Sequence, residues 1–318
     1  KRTTFRNRVI MPPMGSNYAT FSGEVSEEMK NYYGLRAKGG TALITVENAC
    51  IDYPLATNGT KQLRIDSKQF MPGLFELTER IHKYGALASI QLNHAGASAY
   101  PERLGGLQSV SSSSVPSKAG NPAPRPLTRR EILNIVDKYA EAAERAIGAG
   151  FDMVEIHGGH SYLLDQFLSH LYNKRTDEFG GSYENRARFA RLVIEAVRAK
   201  VGKWTPVSFR ISADEFIEGG NTLEDTLKLL EYIIPEVDIV NVSAAVNDSI
   251  QYQIDKCDLP DAWRAYLSEA VKKKFGKPVI LSGNIRNPKI ADEVIAAGKT
   301  DFLAIGRGLI ADPDWCNK

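Results

Sequence analysis

Cysteine is scarce in this chain. Cys50, Cys257 and Cys316 are the full set in 318 residues, odd in number and far apart. They make no disulfide framework, and such sparing use points to a cytoplasmic compartment. Charge of one sign is also missing as blocks. The net charge of +2 comes from 40 Lys+Arg and 38 Asp+Glu. These are interspersed, which leaves no basic footprint for nucleic acid. No apolar run approaches the ~20 residues of a membrane span, so no membrane partner is expected. A glycine fingerprint of the G-x-G-x-x-G type is absent after the first apolar run, where Pro12-Pro13-Met14-Gly15 stands instead. That argues against a dinucleotide-binding Rossmann unit. No helical His-x-x-x-His and no Cys-x-x-Cys occurs.

Short apolar runs alternate with amphipathic stretches. The runs Val9–Met11, Ala42–Val46, Leu87–Leu92, Met153–Ile156, Val207–Ile211, Ile239–Val242, Val279–Leu281 and Phe302–Ile305 read as buried parallel strands. Helices are predicted over Glu27–Ala37, Pro72–Lys83, Arg129–Ala149, Arg186–Val201, Leu223–Ile234, Asp261–Phe275 and Pro288–Ala297. Thr128 with Glu131 fits a capping box, and Ser26 precedes two glutamates that suit a helix start. Eight strands alternating with helices predict an α/β fold, a (β/α)8 TIM barrel. One segment, Ser109–Pro126, is loose, with serine and proline clusters. It reads equally as a disordered surface loop or a lid over the third strand.

In such a barrel the strand ends converge on one face. The densest is 151–189, where His157, His160 and Tyr162 follow a buried strand. Metal binding would require a third ligand. Glu155 reads as turned away from His157 on the strand, and no metal site is expected. Structural histidines stay open as a reading. The preferred one is a pair of hydrogen-bond donors for a carbonyl oxygen, with Tyr162 as general acid. A tyrosine beside Leu163 and Leu164 can also simply pack. Gln91 shares a strand face with Ser89 and Asn93, and its amide can donate and accept at once. Arg210 needs an acceptor, either a carboxylate such as Asp214 or Glu215, or the edge of an anionic ligand. Gly283-Asn284 and Gly306-Arg307 follow the last two strands, where glycines can simply permit tight turns; the preferred reading is phosphate binding, for which this fold uses that position.

At these residues the sequence resembles the old yellow enzyme family, the NADH:flavin oxidoreductases or ene-reductases. The resemblance covers essentially the whole chain. It is carried by His-Gly-Gly-His-Ser-Tyr-Leu-Leu-Asp-Gln-Phe-Leu-Ser from His157, by Asn-Lys-Arg-Thr-Asp-Glu-Phe-Gly-Gly-Ser-Tyr-Glu-Asn-Arg-Ala-Arg-Phe from Asn173, by Gln-Leu-Asn-His-Ala-Gly at 91–96 and by Ala-Ile-Gly-Arg at 304–307. Within the family it looks most like the branch of 2,4-dienoyl-CoA reductases, 2-enoate reductases and bile-acid oxidoreductases. The resemblance implies a single FMN-binding TIM-barrel domain over 1–318, with NAD(P)H as reductant. Pro13, Met14 and Gly15 would lie against the flavin ring and Asn48 at its edge. Gln91 would bind the pyrimidine edge and Arg210 would sit near N1 and O2. Gly283, Asn284, Gly306 and Arg307 would hold the phosphate. His157 and His160 match the carbonyl pair and Tyr162 the proton donor. Lys174, Arg175, Asp177, Asn185 and Arg186 would brace the catalytic face. Gly15 replaces the Cys or Thr usual in relatives, and Ala97 stands where an arginine is usual.

The expected function is FMN-dependent reduction of the C=C bond of an α,β-unsaturated carbonyl compound: an enone, enoate, enoyl-CoA or 3-oxo-Δ4 steroid. Two alternatives remain at this stage, a non-catalytic flavin-binding module and a phosphate-binding isomerase or lyase that would use Glu47. The partner expected is a small-molecule substrate, and a homo-oligomer is compatible. The chain opens without Met and stops at Lys318, so both ends read as cut. Chains of the branch named continue into an iron–sulfur centre and a second, FAD-type nucleotide region, which would lie in a missing C-terminal part. Substrate choice is expected to rest on Tyr18, Tyr53, 100–120 and 247–252.

Overall fold

The structure is a computed structural model that describes residues 3–256 and 258–318. Eight parallel strands close a barrel. In chain order they are β1 (Val9–Met11), β2 (Leu43–Cys50), β3 (Leu87–Asn93), β6 (Met153–Gly158), β7 (Val207–Ser212), β8 (Ile239–Ser243), β9 (Val279–Ser282) and β10 (Phe302–Ala304), with β10 pairing back to β1. The predicted TIM barrel is the fold found. β6, β8 and β9 are buried along their whole length, and each of the other five has a single half-buried residue. Their outer side chains meet the helices and their inner ones fill the barrel.

The helices around it are α1 (Glu27–Lys38), α2 (Met71–His82), α3 (Arg129–Gly148), α4 (Leu163–Leu168), α5 (Tyr183–Val201), α6 (Leu223–Ile233), α7 (Ala265–Phe275), α8 (Pro288–Ala296) and α9 (Arg307–Ala311). Their starts carry the expected caps. Ser26 Oγ accepts from the Met29 amide at 3.1 Å, and Thr128 and Glu131 form the reciprocal box. The predicted helix from Asp261 begins four residues late, at Ala265. Its first turn is diverted. The Asp261 carboxylate accepts from the Asn287 amide at 2.9 Å and pairs with Arg286, and Ala262 adopts a left-handed φ of 55°.

Ser109–Pro126 is not a disordered loop. It forms a small ribbon of β4 (Val110–Ser111) and β5 (Arg125–Pro126). Its serines are pinned: Ser111 Oγ donates to Gln166 Oε1 at 2.9 Å and Ser112 Oγ to the Gln166 carbonyl at 2.5 Å. Cys50 and Cys316 are free thiols. Cys257 lies outside the described residues. No helix among the described residues is long and apolar enough to cross a membrane.

The barrel interior is layered. At its lower end Ile10, Leu43, Met153, Ile239, Ile280 and Ala304 pack with Phe5, Leu87 and Phe302 into an apolar plug. One turn of the pleat higher the inward positions are polar: Gln91, Glu155, Ser208, Asn241 and Ser282, all buried. Register sets them side by side, Gln91 opposite Glu155 and Glu155 opposite Ser208. The next layer up brings His157 opposite Arg210, and Ser212 opposite Ser243. A polar floor therefore lies between the core and the open end of the barrel.

Candidate active site

Glu155 anchors the floor. Contrary to expectation it shares the inner face with His157, as the two-residue period of a strand requires. Its carboxylate accepts from Gln91 Nε2 at 2.9 Å, Ser208 Oγ at 3.0 Å and Asn241 Nδ2 at 2.9 Å. Asn241 Oδ1 in turn accepts from Ser282 Oγ at 2.7 Å. No group of three or more His, Cys, Asp or Glu among the described residues is placed to hold a metal ion. Glu155 is thus a structural acceptor that fixes the orientation of Gln91.

Above the floor opens a cavity of about 680 Å³, within the roughly 300–1,000 Å³ of small-molecule sites. The residues expected at the cofactor and at the substrate carbonyl all line it: Pro13, Met14, Gly15, Asn48, Gln91, His157, His160, Tyr162, Arg210, Gly283, Asn284, Gly306 and Arg307. The bulge of β2 between Val46 and Ala49 turns Glu47 and Asn48 onto its wall. Glu47 does not stand free. Its carboxylate accepts from the Ser16 amide at 2.7 Å, from the Ser16 hydroxyl and from the Tyr33 hydroxyl at 3.3 Å.

The two histidines contact each other. His157 Nε2 lies 3.0 Å from His160 Nδ1, and His160 Nε2 lies 2.8 Å from Ser243 Oγ. His157 Nδ1 is buried without a partner among the described residues. Burial, reinforced by the charge of Arg210, pushes both imidazoles well below their ordinary value, so both are neutral. His160 and Ser161 both adopt left-handed backbone, φ 60° and 62°, which L residues resist. Side chains hold them there: Ser212 Oγ accepts from the His160 amide at 3.0 Å and Asp165 Oδ2 from the Ser161 amide at 2.7 Å. The tight turn places the Tyr162 ring 4.7 Å from that of His157. Burial raises the Tyr162 phenol above its ordinary value, against a lowering hydrogen bond from Asn58 and the nearby charge of Arg210. It is protonated at neutral pH.

Among the described residues Arg210 has no carboxylate partner, neither Asp214 nor Glu215. Its one hydrogen bond to them is a long 3.4 Å contact to the Pro13 carbonyl, and its Nε is buried without a partner among them. Burial lowers its pKa and the charge of Glu155 opposes that. At the far end of the cavity Arg307 donates to the Asp255 carbonyl at 3.0 Å and to Asn284 Oδ1 at 3.1 Å. Arg264 pairs with Asp255 at 3.3 Å with both side chains buried, and donates to the Ser282 carbonyl at 2.8 Å. A Cβ on Gly283, whose φ is 143°, would come within 2.0 Å of Arg264 Nε. Only glycine lets the backbone pass there.

Arg264, Asp255, Asn58 and Gln62 line the cavity but were not picked from sequence. Arg264 and Asp255 lay in a stretch read as helix and loop, and Asn58 in an unpatterned connection. Of the expected selectivity residues Tyr100 lines the cavity, whereas Tyr18 and Tyr53 do not. Gln253 and Ile254 line it in place of 247–252. Of the five residues expected to brace the catalytic face, Arg175 and Arg186 make long-range hydrogen bonds, while the side chains of Lys174 and Asn185 make local ones. Arg175 donates to the carbonyls of Ser112 and Leu127 at 3.1 and 2.8 Å and pairs with Asp177. Arg186, buried, donates to Asn221 Oδ1 at 3.0 Å and to the Leu168 carbonyl. Lys174 Nζ holds the His170 carbonyl at 2.6 Å, and Asn185 Oδ1 accepts from Arg188 at 2.9 Å.

These residues fit a flat, anionic, phosphate-bearing cofactor. A guanidinium with an orphaned Nε, a fixed amide and a glycine-opened cradle flanked by Arg264, Arg286 and Arg307 share one cavity.

Comparison with known proteins gives the same direction. The profile of the NADH:flavin oxidoreductase / NADH oxidase family matches residues 1–318. The chain is 45% identical over 314 residues to an NADH oxidase of Thermoanaerobacter brockii, covering 98% of this chain and 48% of that protein. It is 35% identical over 321 residues to an NADH:acrylate oxidoreductase of Vibrio harveyi, covering 98% of this chain and 31% of that protein. The structure of an old yellow enzyme homologue from Zymomonas mobilis superposes with a TM-score of 0.83 at 27% identity, covering 98% of this chain and 88% of that one. The chain thus spans about half the length of the first of these relatives and a third of the second.

Proposed function

This chain belongs to the NADH:flavin oxidoreductase / NADH oxidase family, that of the old yellow enzymes, and we propose that it is an FMN-dependent ene-reductase that uses NAD(P)H to reduce the C=C bond of an α,β-unsaturated carbonyl compound. The substrate is an enone, enoate, enoyl-CoA or 3-oxo-Δ4 steroid. The observation that carries the proposal is the shared cavity: the His157–His160–Tyr162 group lines it together with the arginine-rich cradle.

FMN, when bound, supplies two-electron chemistry between NAD(P)H and the substrate. Pro13, Met14, Gly15 and the backbone at Asn48 would line its ring. Gln91, held by Glu155, would meet the pyrimidine edge, and Arg210 would stabilise negative charge there. Gly283, Asn284, Gly306 and Arg307 would hold the phosphate, with Arg264 behind them.

The substrate carbonyl oxygen would accept from His157 and His160. Both rings are neutral, so they act as hydrogen-bond donors and not as cations. Their 3.0 Å contact has to open, and the ring that accepts in it has to move its proton to the facing nitrogen, for both to donate to one oxygen. Tyr162 Oη, protonated at neutral pH, would deliver the proton to the α-carbon. Asn58, Tyr100 and Ile254 would shield that proton transfer from water.

The test is direct. Protein incubated with FMN should turn yellow and keep the colour through gel filtration. After anaerobic reduction by NADH or NADPH, members of the four substrate classes should reoxidise it. A colourless protein sinks the proposal. Bound FMN that no unsaturated carbonyl reoxidises would favour the non-catalytic flavin module.

A further inference from the structure

We propose that Asn58 is a positioning residue for the proton transfer: its side-chain amide holds the Tyr162 oxygen by a lone pair and leaves the phenol proton free for the substrate. The inference rests on Tyr162 being the proton donor.

Asn58 lies in the connection between β2 and α2. Its Nδ2 donates to Tyr162 Oη at 2.7 Å. An amide NH2 donates only, so this bond does not consume the phenol proton. Among the described residues Tyr162 Oη has no other side-chain hydrogen-bond partner. The ring lies 4.7 Å from that of the neutral His157, between centroids, and packs against the apolar cluster of Ala95, Ala99 and Leu104. Arg210 is the charged group that acts on it.

Asn58 is itself fixed. Its amide N–H donates to Gln62 Oε1 at 2.8 Å, and Gln62 Nε2 donates to the Asn48 carbonyl at 2.8 Å. Asn48, Gln62, Asn58 and Tyr162 all line the cavity. One hydrogen-bonded chain therefore runs from the bulge of β2 to the acid. Loss of the phenol proton leaves a phenolate, to which the Asn58 bond becomes charge-assisted and stronger. The contact thus favours the state that follows proton delivery, and it opposes the upward push of burial on the phenol.

The test uses FMN-loaded protein carrying 3-fluorotyrosine, with the Tyr162 resonance assigned in 19F NMR by its loss in Tyr162→Phe. In Asn58→Leu the Tyr162 signal should titrate at higher pH than in the parent. Asn58→Asp offers an acceptor in the same volume and should move it higher still. Anaerobic reoxidation by an enone should slow about tenfold in Asn58→Leu, part of the ~10²–10⁴-fold that a positioned acid contributes. The loss should exceed any loss in reduction by NAD(P)H.

An unmoved titration, with both half-reactions slowed by one factor, overturns the inference. The reference is Tyr162→Phe. If it slows reoxidation selectively while the Asn58 variants change nothing, the Asn58 inference alone fails. If Tyr162→Phe shows no selective loss, the proton-donor assignment fails and Asn58 falls with it. Should Asn58→Leu not take up FMN, the near-isosteric Asn58→Asp carries the measurement.

Discussion

Nε2 of His157 and Nδ1 of His160 lie 3.0 Å apart, so a single proton sits between two buried rings. Ser243 Oγ closes the other end of His160 at 2.8 Å. A carbonyl oxygen that draws on both rings replaces their contact with each other. His157→Ala and His160→Ala should each slow enone reoxidation by roughly 10²–10³-fold, the range for removing one oxyanion donor. Stopped-flow flavin absorbance measures this. Because burial and Arg210 depress both rings well below 6.5, they stay neutral as pH falls through that value. The rate should therefore show no acid limb there. A limb near pH 6.5 that vanishes in His157→Ala would mean that the ring titrates in the accessible range and the neutral pair is wrong.

Asp255 and Arg264 form a buried ion pair at the end of the cavity proposed to hold the phosphate. Burial draws Arg264 down to about 10, and the charge of Asp255 opposes that. Removing one partner strands the other, which costs roughly 3–5 kcal/mol in buried pairs. Asp255→Asn should therefore lower the melting temperature of the FMN-free protein. The phosphate of FMN would supply the missing anion, and a ligand that binds only the folded state stabilises it. Differential scanning fluorimetry with and without FMN should show a larger FMN-induced rise in Asp255→Asn than in the parent. An equal rise would place the phosphate away from Arg264.

The barrel itself was plain in the chain, because buried parallel strands write as unbroken apolar runs and helix starts carry their caps. Thr128 and Glu131 form the box that their spacing suggests. The site was legible where side chains follow a strand end directly, as with His157 or Arg210, since strand period fixes their direction. Glu155, two residues before His157, lies on the same strand face and forms the floor of the site, contrary to the expectation that it turns away. Asn58 and Arg264 carried no signal. Their roles come from connections whose path is fixed by long-range bonds, such as Gln62 to Asn48 and Arg264 to Ser282. Asp261 shows the same effect: its carboxylate serves Arg286 and Asn287, so the helix that sequence pattern starts there begins at Ala265.

His82 and Asp152 staple α2 to the connection before β6, with Nε2 2.8 Å from Oδ2. Asp152 Oδ2 also accepts from the Ala88 amide at 2.9 Å. The hydrogen bond to Asp152 raises His82 above 6.5. A raised imidazole stabilises the fold when protonated. The contribution is full below the unfolded value near 6.5 and disappears as pH rises through the higher folded value. Both side chains are about one-third exposed, so the effect is small. His82→Gln should lose stability relative to the parent at pH 6 and converge with it at pH 9. Urea midpoints at the two pH values decide it, and a constant difference would show that the ion pair contributes nothing.

Arg210 and Glu155 offer the sharpest test of the floor. Among the described residues Arg210 lacks a direct carboxylate partner, yet the charge of Glu155 acts to keep it protonated against burial. Glu155 meanwhile gathers three donors from Gln91, Ser208 and Asn241. Glu155→Gln turns one acceptor into a donor facing those donors, which costs about 1–3 kcal/mol when a buried group is left unsatisfied. It also leaves Arg210 with no negative charge below it. Arg210→Met removes the buried cation and leaves Glu155 alone. If the two charges compensate each other, the double variant should be more stable than the sum of the single losses, by roughly 0.5–3 kcal/mol in a double-mutant cycle. Urea unfolding of the four FMN-free proteins measures it. Additivity within about 0.3–0.5 kcal/mol would mean that Glu155 serves Gln91 and the floor alone, and that Arg210 waits for its counter-charge from the cofactor.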